Sequence, residues 1–235
     1  MKKWSGLPIF IMGTSGTSRE VKSMIEEINN INKTDVYQIV AFVDKLDGLK
    51  QDPENFKHET KVNEANGLKI IDEKVFLERI GNYPVVGVVI PFGMPSLKMK
   101  IYDQIANYKN VVYPNIIHPT AVIGENVEIG YGNVVVAGVT ISPNVSIGNF
   151  CLINNNCNIG HDTVIEDFTV INPLSAISGD VAIRKGALVG ARSAILQGVE
   201  VGENSQIGLG AFVVKNVSDN ETVICVPAKV RKNDE

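Results

Sequence analysis

Cysteine and histidine are both scarce: the 235 residues hold only 3 of each. Three thiols cannot build the disulfide framework of a small secreted domain, so a cytoplasmic chain is expected. Zinc needs three or four converging ligands, and only two histidines, His118 and His161, lie in the C-terminal half, far apart, so no metal is expected. Long apolar runs are missing too. Nothing reaches the ~18 residues of a membrane span, and Met1 to Gly6 lack the apolar stretch of a secretory signal. Basic residues are few and scattered, 22 against 26 acidic ones for a net charge of −4, which gives a nucleic-acid partner no electrostatic support. The Gly-x-Gly-x-x-Gly fingerprint of dinucleotide binding is also absent.

What is present is a strict period of six. Positions 117, 123, 129, 135, 141, 147, 153, 159, 165, 171, 177, 183, 189, 195, 201, 207 and 213 are all Ile or Val. Neither a helix (3.6) nor an ordinary strand (2) gives this period. It is the mark of hexapeptide repeats, so residues 115–235 are expected to form a left-handed parallel β-helix. Three hexads close each triangular coil, with the aliphatic residue inward. Four residues after it comes a second inward register of small or β-branched residues, Cys151, Cys157, Thr163 and Ser175 among them, with Asn133 the one bulky polar member. Cys151 and Cys157 are thereby expected to be packing residues, not nucleophiles. At roughly 4.8 Å per coil the prism should be about 25 Å tall.

Residues 1–114 alternate strand and helix and are expected to form a small Rossmann-like α/β domain. Leu7 to Met12 reads as a buried strand, and a helix from about Ser18 to Ile31 puts Val21, Met24, Ile25, Ile28 and Ile31 on one face. Strands are expected over Tyr37–Val43, Leu68–Ile71, Val85–Ile90 and Val111–Tyr113. Helices are expected from Asp72, as cap, through Ile80 and from Ser96 to Tyr108. Lys45 to Gly67 reads as a long loop, with His58 in it. The turn Gly13-Thr14-Ser15-Gly16 has two readings: a phosphate cradle at a helix start, or a plain tight turn with Ser18 as cap. Asp44, at the end of the second strand, stands where such domains bind ribose or base, or is a solvated strand end. Pro114 and Pro119 bracket the junction, and the α/β domain is expected to sit over the first coil and cover its edge.

Chemistry on the prism must come from outward side chains. His161 falls at a corner in Ile159-Gly160-His161-Asp162-Thr163-Val164, with Asp162 beside it to orient the imidazole. The residue 18 positions on lies one coil higher, which stacks Gly179 on His161 and Asn172 on Asn154. A base, a carboxylate, a bare amide and an amide side chain suit acyl transfer. Val136, Leu188 and Leu196 read as exposed aliphatics on the prism faces, which points to a homotrimer.

These elements together resemble the sugar acetyltransferases of the NeuD/PglD type, which include sialic-acid O-acetyltransferases and N-acetyltransferases of nucleotide-linked amino sugars. The resemblance spans nearly the whole chain. It rests on the Gly13-Thr14-Ser15-Gly16 turn, Phe42-Val43-Asp44, Asn115-Ile116-Ile117-His118-Pro119, Asn154, His161-Asp162, Asp167-Phe168, Pro173, Gly179 and Val226-Pro227-Ala228-Lys229. It implies a trimer, acetyl-CoA between neighbouring prisms, and a nucleotide-activated sugar near the α/β domain. His161 takes the place of the general base and Asp162 of its acidic partner. Gly179 and Asn154 map to the acetyl-CoA site, residues 13–16 and Asp44 to the substrate. Thr17 and Val170 stand where the family has histidines, and Leu174 where it has a small residue. The function expected is N-acetylation of a nucleotide-linked amino sugar. The alternatives are O-acetylation of a sugar or serine, or a silent trimer that binds a nucleotide sugar.

Overall fold

The computed structural model describes residues 6–44 and 64–224. His58, Cys225 and Val226-Pro227-Ala228-Lys229 lie outside the described residues, as does most of the expected loop. The first sheet contains β1 (Leu7–Met12), β2 (Tyr37–Asp44), β3 (Glu64–Ala65), β4 (Leu68–Asp72), β5 (Val86–Val89) and β6 (Val111–Val112), in the order β3-β4-β2-β1-β5-β6. All pairings are parallel except β3 on β4, a two-residue hairpin inside what reads from sequence as loop.

Three helices join these strands: α1 (Gly16–Asn32), α2 (Glu73–Ile80) and α3 (Pro95–Ile105). Asp72 caps α2 as expected, its carboxylate accepting from the Lys74 N–H at 2.9 Å. The cap of α1 is Ser15, not Ser18: the Ser15 hydroxyl accepts from the Ser18 N–H, while Ser18 is buried and donates to the Met12 carbonyl at 3.0 Å. That second bond ties the helix start to the end of β1. Val21, Met24 and Ile25 form the buried stripe, and Ile31, in the last turn, is 57% exposed instead of continuing it.

The prism begins at Ile116 and is a left-handed parallel β-helix with three faces. The first face stacks Ile116–Ile117, Val134–Val135, Leu152–Ile153, Val170–Ile171, Leu188–Val189, Gln206–Ile207 and Thr222–Val223. The second runs from Val122–Ile123 through Asn158–Ile159 to Phe212–Val213, and the third from Glu128–Ile129 to Glu200–Val201. Neighbouring strands pair 18 residues apart, as Val134 with Leu152 and Ile141 with Ile159. The aliphatic column forms one continuous core. The small inward register also hydrogen-bonds: Asn133 Nδ2, Thr163 Oγ1, Ser175 Oγ and Ser193 Oγ each donate to a carbonyl 15 residues on, at 2.9–3.2 Å. Those bonds satisfy corner carbonyls that the strand ladders miss, which is why a buried Asn or Ser is tolerated there.

Among the described residues the α/β domain does not cap the first coil. It lies along the flank of the prism, on the first face. The cause is a column one residue before the aliphatics: Ile116, Val134, Leu152 and Val170 point outward, are apolar, and pack with Ile9, Ile11, Val21 and Met24. The equivalent residues of the third face include Glu128, Ser146 and Glu200, which suit water. Phe150 and Phe168, stacked 5.1 Å apart at the corner between third and first faces, lock against Tyr102 of α3. Lys98 of α3 is buried in the same seam and donates to the Phe150 carbonyl. Val136, expected to be exposed, is buried there, and Leu188 is half-buried beside it; of the three aliphatics only Leu196 is exposed, at 53%. Ile123, on the second face of the first coil, is 40% exposed.

Candidate functional site

His161 stands at the corner between the second and third faces, in the turn that links Asn158–Ile159 to Val164–Ile165. Its side chain is 58% exposed. Asp162, next along, sits at φ 60°, in a corner column that also holds Asn126, Asn144 and Asp180 at positive φ. Asn and Asp are the side-chain-bearing residues that best tolerate the left-handed region. The fold therefore favours an acid or amide at 162, and its carboxylate is put to use. Oδ2 lies 2.7 Å from His161 Nδ1, and Oδ1 accepts from Asn144 Nδ2 at 3.0 Å. These two hydrogen bonds, His161 first, hold the Asp162 carboxyl below the usual carboxylate range. A carboxylate only accepts, so the neutral imidazole carries its proton on Nδ1 and presents Nε2 as a free lone pair.

Gly179 lies one coil further, directly against the ring. A Cβ there would come within 2.6 Å of His161 Cε1 and Nε2. Glycine is thus required for the imidazole to lie flat on the backbone. The Gly179 N–H makes no hydrogen bond among the described residues, although the Asp180 N–H beside it donates to the His161 carbonyl at 2.8 Å. The corner thus offers a lone pair on an imidazole packed against a residue whose backbone N–H has no partner among the described residues. Asn144, which braces Asp162 from one coil below, was not singled out from the sequence; the 18-residue spacing, applied backward from Asp162, would have found it.

Asn154 is not part of this cluster. It lies at the preceding corner, between the first and second faces, nearly buried, with Nδ2 3.5 Å from Asn172 Oδ1 as the 18-residue spacing requires. The breadth of the second face separates it from His161. The turn at residues 13–16 is on that same side of the prism: Gly16 and Asn155 line one groove.

The turn itself is tightly built. Gly13 is at φ +75°, and a Cβ on it would strike the Phe92 ring at 2.6 Å. Its N–H donates to the Val43 carbonyl at 2.7 Å. The Thr14 hydroxyl donates to Asp44 Oδ2 at 2.6 Å, so the turn and the carboxylate form one unit. Met12, Gly13, Val43, Asp44, Phe92 and Lys100 line a cavity at the C-terminal ends of β1 and β2, where open α/β sheets place ligands. Ser15 and Gly16 start α1, whose first-turn N–H groups have no helical partner and suit an anion.

Cys151 and Cys157 are buried in the prism, and burial pushes their thiols up to about 12 and about 11. Val170, where the resembling family carries a histidine, is 0% exposed and faces the α/β domain. Among the described residues no group of three or more His, Cys, Asp or Glu stands together to hold a metal ion, and no helix is long and apolar enough to cross a membrane.

No protein-family model and no curated protein sequence matches the chain. Solved structures do. PerB from Caulobacter crescentus, solved in complex with CoA and GDP-perosamine, is 23% identical, with 96% of this chain and 97% of that one covered and a TM-score of 0.76. The acetyltransferase domain of PglB from Neisseria gonorrhoeae is 22% identical over 94% of this chain and 98% of that one, TM-score 0.78, and has also been solved with acetyl coenzyme A. WeeI from Acinetobacter baumannii is 23% identical over 95% and 99%, TM-score 0.75. The likeness covers both the α/β domain and the prism, and establishes the shared fold.

Proposed function

We propose that the protein is a cytoplasmic enzyme that transfers the acetyl group of acetyl-CoA to the amino group of a nucleotide-linked amino sugar. The observation that carries this reading is the His161 corner: an imidazole whose Nδ1 is held by Asp162, whose Nε2 is free, and which rests on the spare N–H of Gly179. Its occurrence on a chain with the two-domain fold of PerB and the PglB acetyltransferase domain adds support. We place the domain boundary at 114/115, with the substrate's nucleotide on residues 1–114 and acetyl-CoA on 115–235.

In this reading the amine nitrogen attacks the thioester carbonyl carbon. His161 Nε2 takes the proton that the nitrogen loses, and Asp162 stabilises the imidazolium. The Gly179 N–H donates to the oxygen that gains charge. When the C–S bond breaks, the proton on Nε2 passes to the departing CoA sulfur. No acyl-enzyme is required, and holding both substrates in place supplies much of the acceleration. Asn154 contributes to the acetyl-CoA groove, while the 13–16 turn and Asp44 hold the nucleotide.

The active form is proposed to be a homotrimer. The turn and Asn154 border one edge of the second face and His161 the other, so a single chain leaves the two halves of the site apart. A neighbour packed against that face would bring its own His161 to the turn. The apolar residues exposed along the second face, Val122 and Phe212 (79% exposed), favour such packing. The test is release of CoA thiol from acetyl-CoA with a panel of nucleotide amino sugars and their hydroxyl counterparts. Turnover with an amino sugar supports the proposal; turnover with hydroxyl acceptors alone, or with none, rejects it.

A further inference from the structure

Among the described residues Lys98 is the one charged side chain that is buried, at 1% exposure. It sits near the start of α3, where the helix dipole disfavours a cation. Burial pulls its amine down to about 8, so its proton is held at neutral pH against a desolvation penalty that Leu or Met would avoid. Two unfavourable effects at one position call for a compensating contact. That contact is the Phe150 carbonyl, which accepts from Lys98 Nζ.

Phe150 lies at φ 56°, in the corner column that also holds Gly132, Phe168 and Gly186 at φ 70°, 60° and 68°. The corner demands the left-handed region, which glycine adopts freely and a bulky residue adopts under strain. Residues of α3 hold the two phenylalanines there. Tyr102 packs on both rings, with centroids 4.8 and 5.8 Å away. Met99 lies over Gly186, where a Cβ would meet Met99 Cε at 2.9 Å. Lys98, Met99 and Tyr102 thus form one stripe of α3 against one column of the prism.

A second stripe faces elsewhere. Leu97, Lys100, Ile101 and Gln104 follow the i, i+3, i+4, i+7 spacing of one helix face and line the cavity that Gly13 and Asp44 also line. The helix is therefore a wall shared between the prism and the cavity. Apolar packing is non-directional, whereas a charge-assisted hydrogen bond to one carbonyl sets where α3 stands along the corner. We propose that Lys98 is a positioning residue for the acceptor: by tying α3 to the Phe150 carbonyl it fixes the α3 wall of the Asp44 cavity, so that affinity in the cavity depends on a contact made on the prism. The inference rests on the reading that the acceptor's nucleotide occupies that cavity.

The test uses the full-length protein as wild type and as Lys98→Met, which keeps an unbranched side chain and removes its charge. Binding of GDP, UDP and CoA would be measured by calorimetry, and steady-state constants by thiol release. Lys98→Met should match or exceed the wild-type Tm, since no ammonium is left to desolvate. It should nevertheless lose about tenfold in affinity for the nucleotide that wild type binds. The acceptor KM should rise in step, with kcat and the affinity for CoA unchanged. A loss shared equally by CoA, or a fall in Tm with nucleotide affinity intact, would make Lys98 a structural residue only and overturn the proposal. Hydrogen exchange on wild type gives an answer that does not depend on how the variant folds. The bound nucleotide should slow exchange at the 149–152 corner as well as in α3, and protection confined to the cavity side would overturn the coupling. If wild type turns over its acceptor but Lys98→Met binds nucleotide equally well, this inference fails and the catalytic reading stands. If wild type binds neither GDP nor UDP, the nucleotide reading of the cavity fails and the inference falls with it.

Discussion

Gly179 and His161 occupy space that cannot be shared differently. Gly179→Ala would place a methyl 2.6 Å from the imidazole, so the ring must swing away from both Asp162 and the spare N–H. The expected result is a fall in kcat/KM of roughly 10- to 100-fold, with the melting temperature almost unchanged. His161→Ala should cost about 10²-fold or more in kcat with the prism intact, because the side chain is largely outside the packing; wild-type turnover in that variant would remove His161 from the mechanism. Asp162 can be followed directly by carboxyl NMR. Its midpoint should lie below 3.8 and move up in Asn144→Ala, which deletes one of the two bonds that depress it. The sign follows from linkage: a carboxyl depressed by folding adds stability above its unfolded pKa and loses that contribution as pH falls through the folded value. Acid should therefore release His161 from its partner only below the ordinary carboxylate range, and a midpoint at or above 3.8 would contradict the pairing. At the same scale, Cys151 and Cys157 should resist alkylation at pH 8 in the folded protein, since burial keeps both thiols protonated; peptide mass spectrometry after mild treatment would detect a reactive one.

At the scale of elements, the difference between the two inward registers and the outward ones governs what each substitution costs. Ile159→Asp would bury an unpaired carboxylate in the stacked aliphatic column and should abolish folding of the prism. Val170→His, which restores the residue typical of the resembling family, should also destabilise, by about 1–3 kcal/mol. It would put a polar ring into the dry seam between Ile9, Ile11 and the first face. A Tm equal to wild type would show that the seam is looser than its burial indicates. This seam also marks the limit of what the sequence disclosed. A period of six announces itself, because one rule acts on every coil, and it carried the prism and the His161–Gly179 stacking. The docking of the α/β domain depends on a period of 18, in Ile116, Val134, Leu152, Val170 and Leu188, which shows only when the three faces are read separately. Without that separation Val136 and Leu188 look like wet aliphatics. Sequence alone does not separate the cap of α1 from the residue three places on, because Ser15 and Ser18 are chemically alike. Only the tertiary bond from Ser18 to the Met12 carbonyl assigns one to the cap and the other to the core.

At the scale of the whole molecule, the separation of the 13–16 turn from His161 by the second face has a genetic consequence. If each site takes its turn from one subunit and its base from the next, two variants that are inactive alone should rescue one another in mixed trimers. His161→Ala removes the base and leaves the turn. Asp44→Arg breaks the Thr14 contact and reverses the charge in the cavity proposed for the nucleotide, but leaves the His161 corner untouched. In a ring of three, every interface is head-to-tail and pairs one subunit's turn with its neighbour's corner. When the two variants are mixed in equal amounts and assemble at random, about one interface in four carries an intact turn and an intact base. Refolding the variants together should therefore recover about a quarter of wild-type activity, while either variant refolded alone recovers almost none. Light scattering on the same samples should give three times the mass of a 25.5 kDa chain. Zero activity in a mixture whose trimers are proven mixed would place turn and base on the same chain. A clean monomer at micromolar concentration would leave Val122 and Phe212 wet and withdraw the proposed assembly altogether.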